Sequence, residues 1–226
     1  MALNESKGNM YSWITHTWNT VKGECPHGCT YCYMKRWGKQ KPLHFDEKEL
    51  NTDLRIFQPS EFKNIFIGSS CDLFADEVPR EWIEKTLDKL QFTSHAYLLQ
   101  TKNPARLMSF LDKIPSFSNI CTTIETNRFY PEIMQKCPKP VERAYWMAKI
   151  SNAFQTYITI EPIMDFDLDL MVQLIRMCNP AQVNIGADSG NNHLPEPSKE
   201  KLLSLIDELK KFTVIDQKRN LARLLK

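Results

Sequence analysis

Short runs of apolar and β-branched residues recur along the chain at Ser12–Trp18, Asn64–Ser69, Ala96–Thr101, Asn119–Ile124, Gln155–Ile160, Gln182–Ala187 and, briefly, Phe212–Ile215. Most are near-continuous rather than alternating, which is the pattern of strands covered on both faces. Helical periodicity fills the intervals. Pro79–Leu90 (PREWIEKTLDKL) sets Trp82, Ile83, Leu87 and Leu90 on one face and begins with Pro at a first helical position. Asp167–Met177 and Ser198–Phe212 behave similarly; Ser198 offers a cap, but Lys201 stands where a capping box needs Glu. Strand and helix alternate, so the sequence predicts an α/β fold with parallel strands and right-handed crossovers, open or curved toward a barrel. About six such units fall short of the eight of a full barrel, and a partial (β/α)6 TIM-like barrel fits.

In parallel α/β folds, functional groups collect where strands end. Those ends are polar in this chain: Trp18-Asn19-Thr20, Ser69-Ser70-Cys71-Asp72, Gln100-Thr101-Lys102, Thr122-Thr123 with Glu125, Glu161-Pro162 and Asp188-Ser189. One such residue can serve as a cap or turn former. Six sets in phase point to a site.

At 226 residues the chain is about one and a half times a typical domain. It contains no repeat, low-complexity tract or Ser/Gly linker, so a single domain over residues 1–226 is expected, with a cysteine loop at about 19–37. Hydrophobic residues at 42% and charged residues at 25% describe a folded protein rather than a disordered one. The net charge of +2 neither requires nor excludes a polyanionic partner. No apolar run approaches the roughly 18 residues of a membrane span, and Met1–Met10 lacks the regions of a signal peptide. A cytoplasmic protein without a membrane partner is the expectation.

Seven cysteines are present, and three of them, Cys25, Cys29 and Cys32, fall within ECPHGCTYCY as C-x3-C-x2-C. Clustering of this kind suits metal ligation better than a disulfide framework. Three thiolates on one loop can hold three irons of a cubane and leave the fourth open. A zinc knuckle or a closed iron–sulfur centre completed by His27 or Cys71 is the alternative, and would make the chain a binding or electron-transfer protein. Gly28 lets the loop wrap closely and Pro26 stiffens its entry. Cys71, Cys121, Cys137 and Cys178 otherwise read as small buried residues.

C-x3-C-x2-C with Tyr31 just before the last cysteine, after the first strand of an α/β chain, resembles the signature of the radical S-adenosylmethionine (radical SAM) superfamily. From Trp13 to about Leu225 the chain is also similar to a phage- and prokaryote-borne radical SAM-like family of undefined substrate. That likeness runs through W-N-x-V-x-G (Trp18–Gly23), CDLFADEVP (Cys71–Pro79), LLQTKNPARL (Leu98–Leu107), the strand-end Ile160–Pro162 and NIGADSG (Asn184–Gly190). The resemblance implies a [4Fe–4S] cluster on Cys25, Cys29 and Cys32, with S-adenosylmethionine chelating the unique iron. Reductive cleavage would yield a 5′-deoxyadenosyl radical that abstracts hydrogen from an unidentified substrate. A one-electron reductant such as flavodoxin or ferredoxin is implied with it.

By the same resemblance Tyr31 lies beside the adenine, and Ser69 and Ser70, with Asp72 as a further candidate, meet the methionine ammonium. The superfamily's Gly-Gly-Glu is replaced by Gly68-Ser69-Ser70. Lys102 is the candidate for the carboxylate, and Thr123 and Glu125 for the ribose hydroxyls. Glu161 enters the barrel top or makes a rim salt bridge to Arg143 or Lys149; Asn184 and Asp188 suit substrate or methionine. Two basic stretches remain: Lys35, Arg36, Lys39 and Lys41 around Trp37, and Lys218, Arg219, Arg223 and Lys226 near the C-terminus. They suit a phosphorylated or nucleic-acid substrate, with DNA lesion repair as a narrower variant, or a solvated surface.

Overall fold

The structure is a computed structural model that describes residues 3–7 and 11–226, so the leader reading of Met1–Met10 falls partly outside the described residues. Ten strands are present among them: β1 (Asn4–Glu5), β2 (His16–Trp18), β3 (Val21–Lys22), β4 (His44–Phe45), β5 (Asn64–Ile67), β6 (Ala96–Gln100), β7 (Ser118–Thr123), β8 (Gln155–Ile160), β9 (Gln182–Ile185) and β10 (Val214–Gln217). The helices are α1 (Glu47–Leu50), α2 (Arg80–Leu90), α3 (Pro104–Met108), α4 (Pro131–Met134), α5 (Pro140–Ile150), α6 (Leu168–Met177) and α7 (Lys199–Lys210).

Eight strands form one sheet in the order β1-β2-β5-β6-β7-β8-β9-β10, and β3 pairs with β4 in a separate ribbon. From β2 to β10 every neighbour is parallel. The antiparallel exception is β1 against β2, an edge addition outside the expected pattern. First and last strands do not meet, so the sheet is open, as a partial barrel requires.

Strand alternation divides the sheet into two faces. Ile65, Ile67, Leu99, Ile120, Ile158, Ile160, Val183 and Ile185 point to the helices, where they pack with Leu87 of α2, Met147 of α5, Ile175 of α6 and Leu205 of α7. The opposite face carries Phe66, Leu98, Cys121 and Tyr157, covered by Tyr11, Trp13 and Ile14. This corrects the expectation of a strand over Ser12–Trp18. Only His16–Trp18 is strand, and the preceding aromatics lie against the inner face, with Trp13 edge-on to Tyr157 at 5.5 Å.

The apolar periodicity of α2, α6 and α7 is realised within a residue or two at each end, and Ser198 Oγ accepts from Lys201 N as a cap. Pro79 is the N-cap of α2 rather than its first helical residue. Helix α5 was not legible: its exposed Val141 and Tyr145 put apolar residues on the solvent side and blur the stripe. No helix among the described residues is long and apolar enough to cross a membrane.

Ile158 is fully buried between sheet and helices. Ile158→Ala should lower unfolding stability by about 2–5 kcal/mol through lost burial and the cavity left behind. Val214→Ala, at a residue 63% exposed on the edge strand, should change it by less than about 0.5 kcal/mol; urea midpoints compare the two.

Candidate functional site

The cysteine loop follows the ribbon strand β3. Gly28 sits at φ 68°, a left-handed conformation costly for a residue with a Cβ, and its N–H reaches Cys25 O at 3.1 Å. Thr30 N donates to Ile133 O and Lys136 N donates to His27 O, so the connection from β7 to α5 clamps the loop from outside. Cys25, Cys29 and Cys32 line a cavity of about 420 Å³ beneath the strand ends, within the usual size of a small-molecule site.

The three thiols share that wall without converging. Cys29 Sγ lies 3.2 Å from Cys137 Sγ. The Cys137 thiol holds Cys29 below the ordinary thiol value against the opposing effect of burial, with help from the Lys102 charge. The Cys71 thiol likewise holds Cys25 below the ordinary value, whereas burial pushes Cys32 up. Among the described residues no three His, Cys, Asp or Glu side chains meet in ligating geometry.

Asp72 fastens the loop to the sheet. Its Oδ2 accepts from His27 Nε2 at 2.7 Å, Thr101 Oγ1 at 3.0 Å and Lys102 N at 2.7 Å, and its Oδ1 accepts from Phe74 N at 2.9 Å. Burial alone would raise its carboxyl, but His27 and these donors hold it below the ordinary value. Expected as a partner for an ammonium, Asp72 has both oxygens committed to protein donors and joins the cysteine loop to the ends of β5 and β6.

A second buried carboxylate, Glu125, follows β7. Its Oε2 accepts from Arg143 Nη1 at 2.8 Å, and both side chains are fully buried. Its Oε1 accepts from Lys102 Nζ at 2.8 Å and from the Tyr31 hydroxyl, which in turn accepts from Lys102 Nζ at 2.6 Å. Burial alone would raise Glu125, but the Arg143 and Lys102 charges outweigh it and hold the carboxyl well below the usual carboxylate range. Two cations face one carboxylate, so the network keeps one net positive charge, placed at Lys102 on the cavity wall beside the thiols. Glu125, expected to meet ribose hydroxyls, is completely enclosed; Tyr31 lines the cavity with its hydroxyl turned back to Glu125.

The other expected residues divide in the same way. Ser69, Ser70, Thr123, Glu161 and Asp188 line the cavity together with Asp72 and Lys102. Asn19 Oδ1 accepts from Ser69 Oγ at 3.1 Å and from Ser70 N at 3.0 Å, which fixes the β5 turn, while the Ser70 hydroxyl has no hydrogen-bond partner among the described residues. Asn184 stands on the inner face opposite Thr159, but it is buried, outside the cavity lining, and accepts from Gln182 Nε2 at 2.7 Å. Asp188 accepts from Gly190 N at 2.9 Å and Asn192 Nδ2 at 2.6 Å, which shapes its own loop.

Glu161 pairs with Lys218 Nζ at 2.5 Å and accepts from Asn220 Nδ2 at 3.0 Å. The cation of this pair comes from just beyond β10, whereas Arg143, expected as a rim partner, pairs with Glu125. The carboxylate lies so close to Gly186 that a Cβ there would stand 2.7 Å from Oε1, so glycine permits the approach. Sequence reading missed Tyr11 and Thr159 on the same wall. Tyr11 Oη donates to Gln100 Oε1 at 2.7 Å, and Thr159 lines the same wall. The alternation Tyr157, Thr159, Glu161 along β8 was the available signal for Thr159; nothing local marked Tyr11.

An α/β fold with a mostly parallel sheet and a cavity at the strand ends matches the partial-barrel architecture of radical SAM structures. A spore photoproduct lyase variant aligns at TM-score 0.65 and 11% identity over 95% of this chain and 80% of that one. Another variant, with bound AdoMet and dinucleoside spore photoproduct, aligns at 0.58 and 12% over 93% and 66%. The crystal structure of methylornithine synthase (PylB) aligns at 0.54 and 11% over 88% and 63%. At such identities the likeness is one of fold. No curated protein matches. Residues 9–200 match the family described as "Protein of unknown function (DUF5131)", and the chain belongs to that family.

Glu125→Gln leaves Arg143 buried without its counter-charge and should cost about 3–5 kcal/mol at pH 7. A depressed folded pKa stabilises above the unfolded value of roughly 4.3 and is lost as pH falls through the folded one. The unmodified protein should therefore lose this contribution below about pH 4, and the variant should show a shallower acid limb in denaturant titrations at stepped pH.

Proposed function

We propose that this protein is a radical SAM enzyme in which Cys25, Cys29 and Cys32 hold a [4Fe–4S] cluster. The observation that carries the reading is the set of three thiols on one loop, lining one cavity at the strand ends of a radical SAM-type sheet. The donor chemistry fits: three cysteines bind three irons, and their collective negative charge is met by the surplus positive charge of the Arg143–Glu125–Lys102 network. Bound there, the cluster would supply the electron that cleaves S-adenosylmethionine to the 5′-deoxyadenosyl radical, which takes hydrogen from substrate.

The chain's own residues bind and shield. In this reading Lys102 takes a carboxylate, the Ser70 hydroxyl a polar group of the methionine end, the Tyr31 ring the adenine, and Thr123 a ribose hydroxyl. Glu161 and Asp188 close the far side, where substrate enters. Asp72 and Glu125 act through the groups that they hold. In this reading the chain works as one unit in the cytoplasm, supplied by a one-electron reductant such as flavodoxin or ferredoxin.

Cys71 favours a second reading. It lines the cavity and its thiol faces Cys25, so as a fourth ligand it would close the cluster and leave an electron-transfer protein. His27 is less suited, because its Nε2 is already bonded to Asp72. After anaerobic reconstitution, dithionite and S-adenosylmethionine should yield 5′-deoxyadenosine. Cys25→Ala, Cys29→Ala and Cys32→Ala should each abolish it and lower bound iron, whereas Cys71→Ala and Cys137→Ala should retain both. Iron loss in Cys71→Ala, with no product from the loaded unmodified protein, would establish the closed centre instead.

A further inference from the structure

The segment after the cysteine loop differs from the rest of the cavity wall. Tyr33–Trp37 forms a short 3-10 turn, and Tyr33, Met34, Arg36 and Trp37 all lie on the cavity lining. Trp37 is 77% exposed, a large indole held at the mouth instead of in the core. Two anchors fix the turn: Arg36 Nη2 donates to Ser189 Oγ at 2.7 Å, and the Tyr33 hydroxyl donates to Ser69 O at 2.5 Å. The turn is thereby tied to the loops after β5 and β9.

Charge in the chain segment around this indole has one sign. Between Glu24 and Asp46 the sequence holds Lys35, Arg36, Lys39 and Lys41 and no carboxylate. All four are exposed, and among the described residues none of them makes an ion pair. Lys7 adds a further cation on the lining. Several cations elsewhere do have a neighbour of opposite sign, as in Lys136 with Glu77 and Arg128 with Asp165 and Asp167. A whole-chain charge of +2 hides this local run of cations.

We propose that the cavity mouth binds single-stranded nucleic acid, with Trp37 stacking one base and Lys35, Arg36, Lys39 and Lys41 holding the flanking phosphates. A rigidly presented indole flanked by unpaired cations matches the two chemical features that every nucleotide unit repeats, a π face and an anionic linkage. A single strand can offer an unpaired base to the indole and thread its neighbour into a cavity of about 420 Å³, whereas a duplex keeps its bases in the stack. The assignment concerns the substrate of the site discussed above, and rests on the radical SAM reading only for the chemistry that follows binding.

Anisotropy of a fluorescein-labelled thymidine oligonucleotide of about twelve residues, titrated with the full chain, tests the assignment. Affinity should fall with salt, with a log–log slope of roughly −2 to −3 for three or four phosphate contacts on a single strand. Trp37→Ala should weaken binding roughly tenfold and Trp37→Phe by much less, because the ring face is kept. Combined Lys35→Ala, Lys39→Ala and Lys41→Ala should flatten the slope by about 2. Absence of binding at low salt, an unaltered affinity in Trp37→Ala, tighter binding of the matching duplex, or equal displacement by free thymidine monophosphate or poly-glutamate would each overturn the proposal. Binding that persists when no 5′-deoxyadenosine forms strikes the chemistry alone; product formation without oligonucleotide binding strikes this assignment alone.

Discussion

The site is organised around a carboxylate that has no contact with solvent. Glu125 sits at the end of β7 and draws Arg143 from α5, Lys102 from the end of β6 and Tyr31 from the cysteine loop onto its two oxygens. Burying one such charge costs several kcal/mol unless partners of opposite sign and good geometry surround it. Those partners can assemble only if helix, sheet and loop occupy their mutual positions, so the network ties the cavity's rim to the fold. It also leaves a surplus cation on the cavity wall, where sulfur ligands would carry negative charge.

Asp72 performs the matching task on the other side of the loop. Four donors from three segments converge on it, and one of them, His27, lies between two of the cysteines. Together the two carboxylates hold a loop that has little regular structure of its own. That arrangement explains why acidic strand-end residues that looked suited to ligand contact turn inward. A strand end is a place where ligands bind, but it is equally a place where an irregular loop must be fastened.

The wall opposite the cysteines is built differently. Gln100, Thr123 and Thr159 come from the inner-face positions of adjacent strands, and Tyr11 closes their lower edge. Glu161 and Lys218 cap them with an ion pair that a side chain at position 186 would obstruct. Aromatic and cationic residues then gather at the mouth, on the turn that follows Cys32. The cavity therefore grades from sulfur, through hydroxyl and amide, to an exposed basic rim.

Much of this was determined by the sequence itself. Apolar runs and amphipathic periods are local properties, and they located most strands of the parallel sheet and the helices α2, α6 and α7. The C-x3-C-x2-C spacing is local too, since three thiols within eight residues share one loop in any compact fold. Tertiary structure decided which polar residues face the cavity and which are consumed in holding it. Asp72 and Glu125 cannot be distinguished from Ser70 or Thr123 by neighbours in the chain, because their partners His27, Arg143 and Lys102 come from distant segments or different elements. Lys218 as the partner of Glu161, and Tyr11 against the inner face, were likewise set by packing across the sheet, where the free energy of a buried charge or ring depends on contacts that sequence order does not encode.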